Sequence, residues 1–188
     1  MQLNWWLPIY EYESESSMAF HPRYWSNPVR NGSDSFNYYE WNAVGRAAAA
    51  TQIKTDTRKQ PRPLEEIDPN PQVRLVVPPG GLILFSAAQV HSTVPNTTGL
   101  TRYSIDFRTL SLDDAIAGRG APNIDNNSTG TSIRDFRRAR DQAPMLEDVV
   151  KPYDIGGAPA NGVLVFDPNA VAAPVQPNAK KSRDEVAA

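Results

Sequence analysis

Arg102 lies eleven residues after His91, and these are the two side chains of this sequence with the widest chemical reach. An imidazole can ligate a metal or carry a proton near neutral pH. A guanidinium can grip a carboxylate through two parallel hydrogen bonds. Arg102 opens the segment 101–109, whose alternation is that of a β-strand. Tyr103, Ile105 and Phe107 fall on one face; Arg102, Ser104, Asp106 and Arg108 fall on the other. The apolar face requires a core. The polar face is either wetted by solvent, the ordinary arrangement in an antiparallel sheet, or a strip that receives an anion. Segment 82–85, Leu-Ile-Leu-Phe, is apolar on both faces and predicts a sheet covered on both sides. An arginine taken out of water there needs an anionic partner. Spacing alone leaves both readings open.

The elements that hold these residues are short. Segment 3–10 alternates as a strand, with Leu3, Trp5, Leu7 and Ile9 on one side and Gln2, Asn4 and Trp6 on the other. Residues 18–20 form a short strand leading to His21, and 73–77 form another. Pro78-Pro79-Gly80-Gly81 is a turn, as is 95–99. An alanine run at 47–50 places a helix over 41–54. Ser111 can cap a helix at 112–117, and Ile133 with Phe136 suggest one at 132–141. Residues 57–71, with four prolines, form an irregular connection. One small strand is expected within 156–166. The stretch 167–188 reads as a disordered tail, leaving 1–166 as one domain.

The bulk composition removes several classes of function. The chain has 188 residues, 40% hydrophobic and 21% charged, with a formal net charge of −2, so no clustered basic face for nucleic acid is indicated. Without cysteine there is neither a disulfide nor a thiolate metal site. No leader or long apolar run is visible, so a cytoplasmic location is the expectation, with no membrane partner.

Taken together, Gly80-Gly81-Leu82-Ile83-Leu84-Phe85, then His91-Ser92-Thr93-Val94-Pro95-Asn96-Thr97-Thr98, then Arg102-Tyr103-Ser104 resemble the distal half of the phytanoyl-CoA dioxygenase-like family. The resemblance covers most of residues 2–155. It implies a mainly β fold, a double-stranded β-helix (cupin-like jelly roll) with a few flanking helices. It implies an Fe(II)- and 2-oxoglutarate-dependent dioxygenase of the hydroxylase type, acting on an unidentified small molecule. On that resemblance His91 is the distal iron ligand, Arg102 anchors the far carboxylate of 2-oxoglutarate, and Ser104 assists it. Asn4 is a further cofactor contact; Gln2, Trp6 and Arg108 are possible pocket lining, with Arg108 read first as structural.

The departure is the metal. The family's iron is held by a His-x-Asp pair and a later His, and no His-x-Asp or His-x-Glu precedes His91. The remaining histidine, His21, is followed by Pro22 and Arg23 and is expected to bond a backbone carbonyl. The expectation is therefore a domain incomplete at its N-terminus and inactive as this chain. Two alternatives stand beside it: a metal-free jelly-roll module binding a carboxylate or sugar, and a structural jelly roll of the capsid or lectin kind, which the His91–Arg102–Ser104 grouping disfavours.

Overall fold

The computed structural model describes residues 2–42, 61–120 and 126–155. It is mainly β, with two small antiparallel sheets and a few short helical turns. The first sheet has the order β4-β1-β6, from Ile83–Ser86, Gln2–Pro8 and Ser104–Leu110. The second has the order β3-β2-β5, from Val73–Leu75, Met18–Phe20 and His91–Thr93. No helix among the described residues is long and apolar enough to cross a membrane. The helix expected at 41–54, for all but its first two residues, lies outside the described residues, as do the strand within 156–166 and the tail.

Period-two alternation decides which side chains meet. Asn4 stands opposite Phe85 and Arg108, and Trp6 opposite Ile83 and Asp106, so these residues share one face of the first sheet. On that face Trp6, Ile83 and Phe85 pack against Met18 and Phe20 of the second sheet. Phe20 meets Phe85 edge-on at 5.1 Å between ring centres, a favoured aromatic geometry. The Tyr12 ring meets Trp6 edge-on, and its hydroxyl donates to the Leu75 carbonyl (2.9 Å) while accepting from the Val77 amide (3.0 Å). Both ends of that phenol are thereby satisfied at the rim of the core.

The opposite face of the first sheet corrects an expectation. Tyr103, Ile105 and Phe107 were to pack on a core, yet they are 56%, 53% and 45% exposed. Leu82 and Leu84 are exposed too, so segment 82–85 is buried on one face only, through Ile83 and Phe85. Among the described residues no element lies over this side. Its side chains cover one another instead: Trp5 stacks on Phe107 at 5.5 Å and donates to Thr109 Oγ1 (2.8 Å).

A second cluster hangs on the end of β6. Leu110 packs against Ala115, Ile133, Val149, Val150 and Tyr153. The expected cap holds: the Ser111 hydroxyl accepts from the Asp114 amide at the start of α2 (Leu112–Ile116), α1 being the single turn Tyr38–Glu40. The helix expected at 132–141 does not form. A 3-10 turn, Ile133–Asp135, ends at an extended Phe136, and Arg137 bridges to Pro144. Arg134 is drawn away to Glu147 and to Asp154 (3.0 Å), so long-range ion pairs override local propensity.

Tyr39 is buried beside this cluster, its hydroxyl donating to Asp154 (2.7 Å). Burial, and then the hydrogen bond to Asp154, hold its phenol above the ordinary tyrosine range. A raised folded-state pKa contributes stability that is present below the unfolded value of about 10 and is lost as pH climbs through the folded one. One of the seven tyrosines should therefore ionise late in an alkaline absorbance titration, as the protein loses stability. Tyr39→Phe should remove that late component; an unchanged titration in the variant would assign it elsewhere.

Candidate functional site

Arg102 lies just before β6 and turns inward, one of the two readings that its spacing left open. Its guanidinium sits over the Trp6 ring at 5.3 Å from the centroid, a cation–π distance. One of its terminal nitrogens donates to the Ser16 carbonyl (2.8 Å). Burial is the main influence on its pKa, pulling it below the ordinary arginine value; the nearby Tyr12 opposes this. Among the described residues Arg102 forms no ion pair. It lines a cleft of about 490 Å³ with Ser16, Thr93, Asn96 and Thr101, and no carboxylate is among the residues lining it. The turn over 95–99 shapes this wall: Asn96 accepts from the Thr98 amide (3.1 Å) and donates to the Leu100 carbonyl (2.7 Å).

His91 is half-buried at the start of β5, opposite Phe20. Its ring meets the Phe85 edge at 4.9 Å, and Nδ1 lies 2.6 Å from the Gln89 carbonyl. A carbonyl only accepts, so Nδ1 carries the proton and Nε2 of the neutral ring carries the lone pair. That is the tautomer a ligating or basic imidazole needs. His91 lines a second cleft, of about 400 Å³, distinct from that of Arg102. The two residues expected to meet one small dicarboxylate thus line separate clefts. The aromatic core joins them, with Trp6 under Arg102 and Phe85 against His91.

The other expected site residues divide. Trp6 joins Arg102 as its platform. Ser104 lies opposite Pro8 and makes no hydrogen bond to Arg102, which donates instead to the Ser16 carbonyl. Asn4 and Gln2 are buried and bonded to each other (3.4 Å), and neither lines a cleft with Arg102 or His91. Asp106 and Arg108 share the inner face but are exposed, and no ion pair joins them. His21 stays apart from His91: its ring nitrogens face the Pro69 carbonyl (3.2 Å) and Ser92 Oγ (3.4 Å). A backbone carbonyl was the expected partner, although it belongs to residue 69 rather than to the adjacent turn.

Against models of known families, characterised proteins and solved structures, the chain gives no match. Its chemistry is therefore argued from these clefts alone. Ser16 was missed by sequence reasoning, because its contribution is a backbone carbonyl that leaves no residue-type signal. The turn over 95–99 was legible as a turn, but not as a wall of this cleft.

Proposed function

We propose that this chain is a small-carboxylate-binding domain of the double-stranded β-helix type, with Arg102 as anchor and 2-oxoglutarate as ligand. This is the part that co-substrate binding plays in the Fe(II)/2-oxoglutarate dioxygenases the sequence resembles. The observation that carries the reading is a half-buried guanidinium without a carboxylate partner, resting on Trp6 at the wall of an acid-free cleft. A buried cation in that state is stabilised by an incoming anion, and its unused N–H groups suit a carboxylate.

Iron fits less well. Among the described residues no three His, Cys, Asp or Glu side chains converge. His21 is held by Pro69 and Ser92, so His91 contributes a single candidate ligand where a facial triad needs three. No oxidative step follows from these residues. This observation favours the second reading, in which the Arg102 cleft binds a carboxylate without metal and without turnover.

Calorimetric titration with 2-oxoglutarate separates these outcomes. Arg102→Ala should weaken binding by about ten- to a hundredfold, and Arg102→Lys by less, since it keeps the charge but loses the fork. Equal affinity in Arg102→Ala would remove the anchor assignment. Fe(II) or Mn(II) that tightens 2-oxoglutarate binding, with the effect lost in His91→Ala, supports the dioxygenase reading. A metal-independent affinity supports the binding module.

A further inference from the structure

The cleft beside His91 is lined by a second arginine, Arg62, which forms no ion pair among the described residues. Backbone pairing fixes its place: the Gly32 amide donates to the Arg62 carbonyl (2.9 Å), and the Leu64 amide donates to Arg30 (2.9 Å). Asn31 and Pro63 form the bridge between those bonds. The strand-like clamp puts Arg62 on the rim, with Tyr24, Asn27, Asn31, His91 and Asn126 among the side chains around the cleft.

Neighbouring charges are already committed. Arg23 pairs with Asp68 (2.9 Å) and donates to the Asn70 carbonyl (2.9 Å). Glu65 accepts from the Arg30 amide (2.8 Å). Asp68 also donates its own amide to the Tyr24 hydroxyl (2.9 Å), which holds that ring in the wall. Arg62 makes no such pair among the described residues, and no Asp or Glu is among those lining the cleft. Among the described residues the cleft thus sets a guanidinium without an ion pair beside an imidazole, with no Asp or Glu in its lining. Its volume of about 400 Å³ lies within the range of small-molecule sites.

We propose that this cleft is a second anion site, in which Arg62 binds the carboxylate or phosphate of a small molecule whose body lies against His91. It stands apart from the Arg102 reading, because the two arginines line different clefts. The guanidinium supplies a bidentate grip.

The chain's two histidines provide the test. His91 faces the cleft, while His21 is buried with both ring nitrogens engaged, so it serves as an internal control. Titration of the full chain with phenyl phosphate, and separately with benzoate, should shift the His91 ring resonances and leave those of His21 in place. His91→Gln assigns the signal. Arg62→Met should weaken binding by about ten- to a hundredfold, Arg62→Lys by less, and Arg102→Ala should leave it unchanged. A response to one probe and not the other identifies the oxyanion. The proposal is overturned if neither probe shifts His91, if Arg62→Met responds as the native chain does, or if Arg102→Ala abolishes the response.

Discussion

Trp6→Ala should lower the free energy of unfolding by about 3–5 kcal/mol, the usual cost of truncating a buried tryptophan. Trp6 is 3% exposed and central to the sheet–sheet contact, touching the cluster formed by Met18, Phe20, Ile83 and Phe85. Its ring also meets Tyr12 edge-on and carries the Arg102 guanidinium. The same change should therefore weaken 2-oxoglutarate binding. Trp6→Phe should keep most of the stability and lose part of the affinity, because a smaller ring attracts a cation less. The adjacent Trp5 is the control. It lies half-buried on the outer face, stacked on Phe107, so Trp5→Ala should cost about 1 kcal/mol, the scale of a cross-strand pair. Urea unfolding of the three variants reads the difference. Equal losses for Trp5→Ala and Trp6→Ala would mean that the inner face is not the core.

Gly130→Ala carries the second large effect. Gly130 has φ of +63°, and a Cβ there would stand 2.7 Å from Cδ2 of the Tyr39 ring. The left-handed conformation alone costs a side chain roughly 1–2 kcal/mol. Overpacking against a fixed neighbour adds about 1–3 kcal/mol. Tyr39 is 1% exposed and tied by its hydroxyl to Asp154, so it has nowhere to go. The expected loss is about 2–5 kcal/mol. Gly99→Ala separates the two contributions: its φ is +76°, but nothing lies within 4 Å of the added carbon. It should lose about 1–2 kcal/mol. If both variants unfold at the same urea concentration as the native chain, neither glycine is required by its backbone.

Sequence reading reached the parts of the fold that depend on local pattern. Alternation in Gln2–Pro8 grouped Gln2, Asn4 and Trp6 on one face and grouped Arg102 with Ser104 on the other strand; which face is the inner one came from the structure. Ser111 was legible as a cap because its bond is made three residues away. What failed depended on distant partners. Ile133 and Phe136 have helical spacing, but Arg134 pairs with Glu147 and Asp154, and the segment unwinds after one turn. Leu84 looked buried because it is apolar, although burial depends on what lies above it. Arg62 stood in a proline-rich stretch with no motif, and only the bonds joining residues 30–32 to 62–64 bring it to the cleft of His91.

The register of the first sheet also sets an order of events. β1 lies at its centre, paired on one side with Ile83–Ser86 and on the other with Ser104–Leu110. Each pairing closes a loop of many tens of residues, so contacts within this sheet are almost wholly non-local, the topology that folds slowly. On a ribosome adding about 5–20 residues per second, β1 is complete roughly 5–20 s before β6 exists to receive it. Throughout that interval a seven-residue strand with two adjacent tryptophans has no native partner on its β6 side. Chaperone demand should accordingly be governed by the time needed to reach Leu110, and slowing translation between Pro8 and Ser104 should lower the soluble yield of the chain.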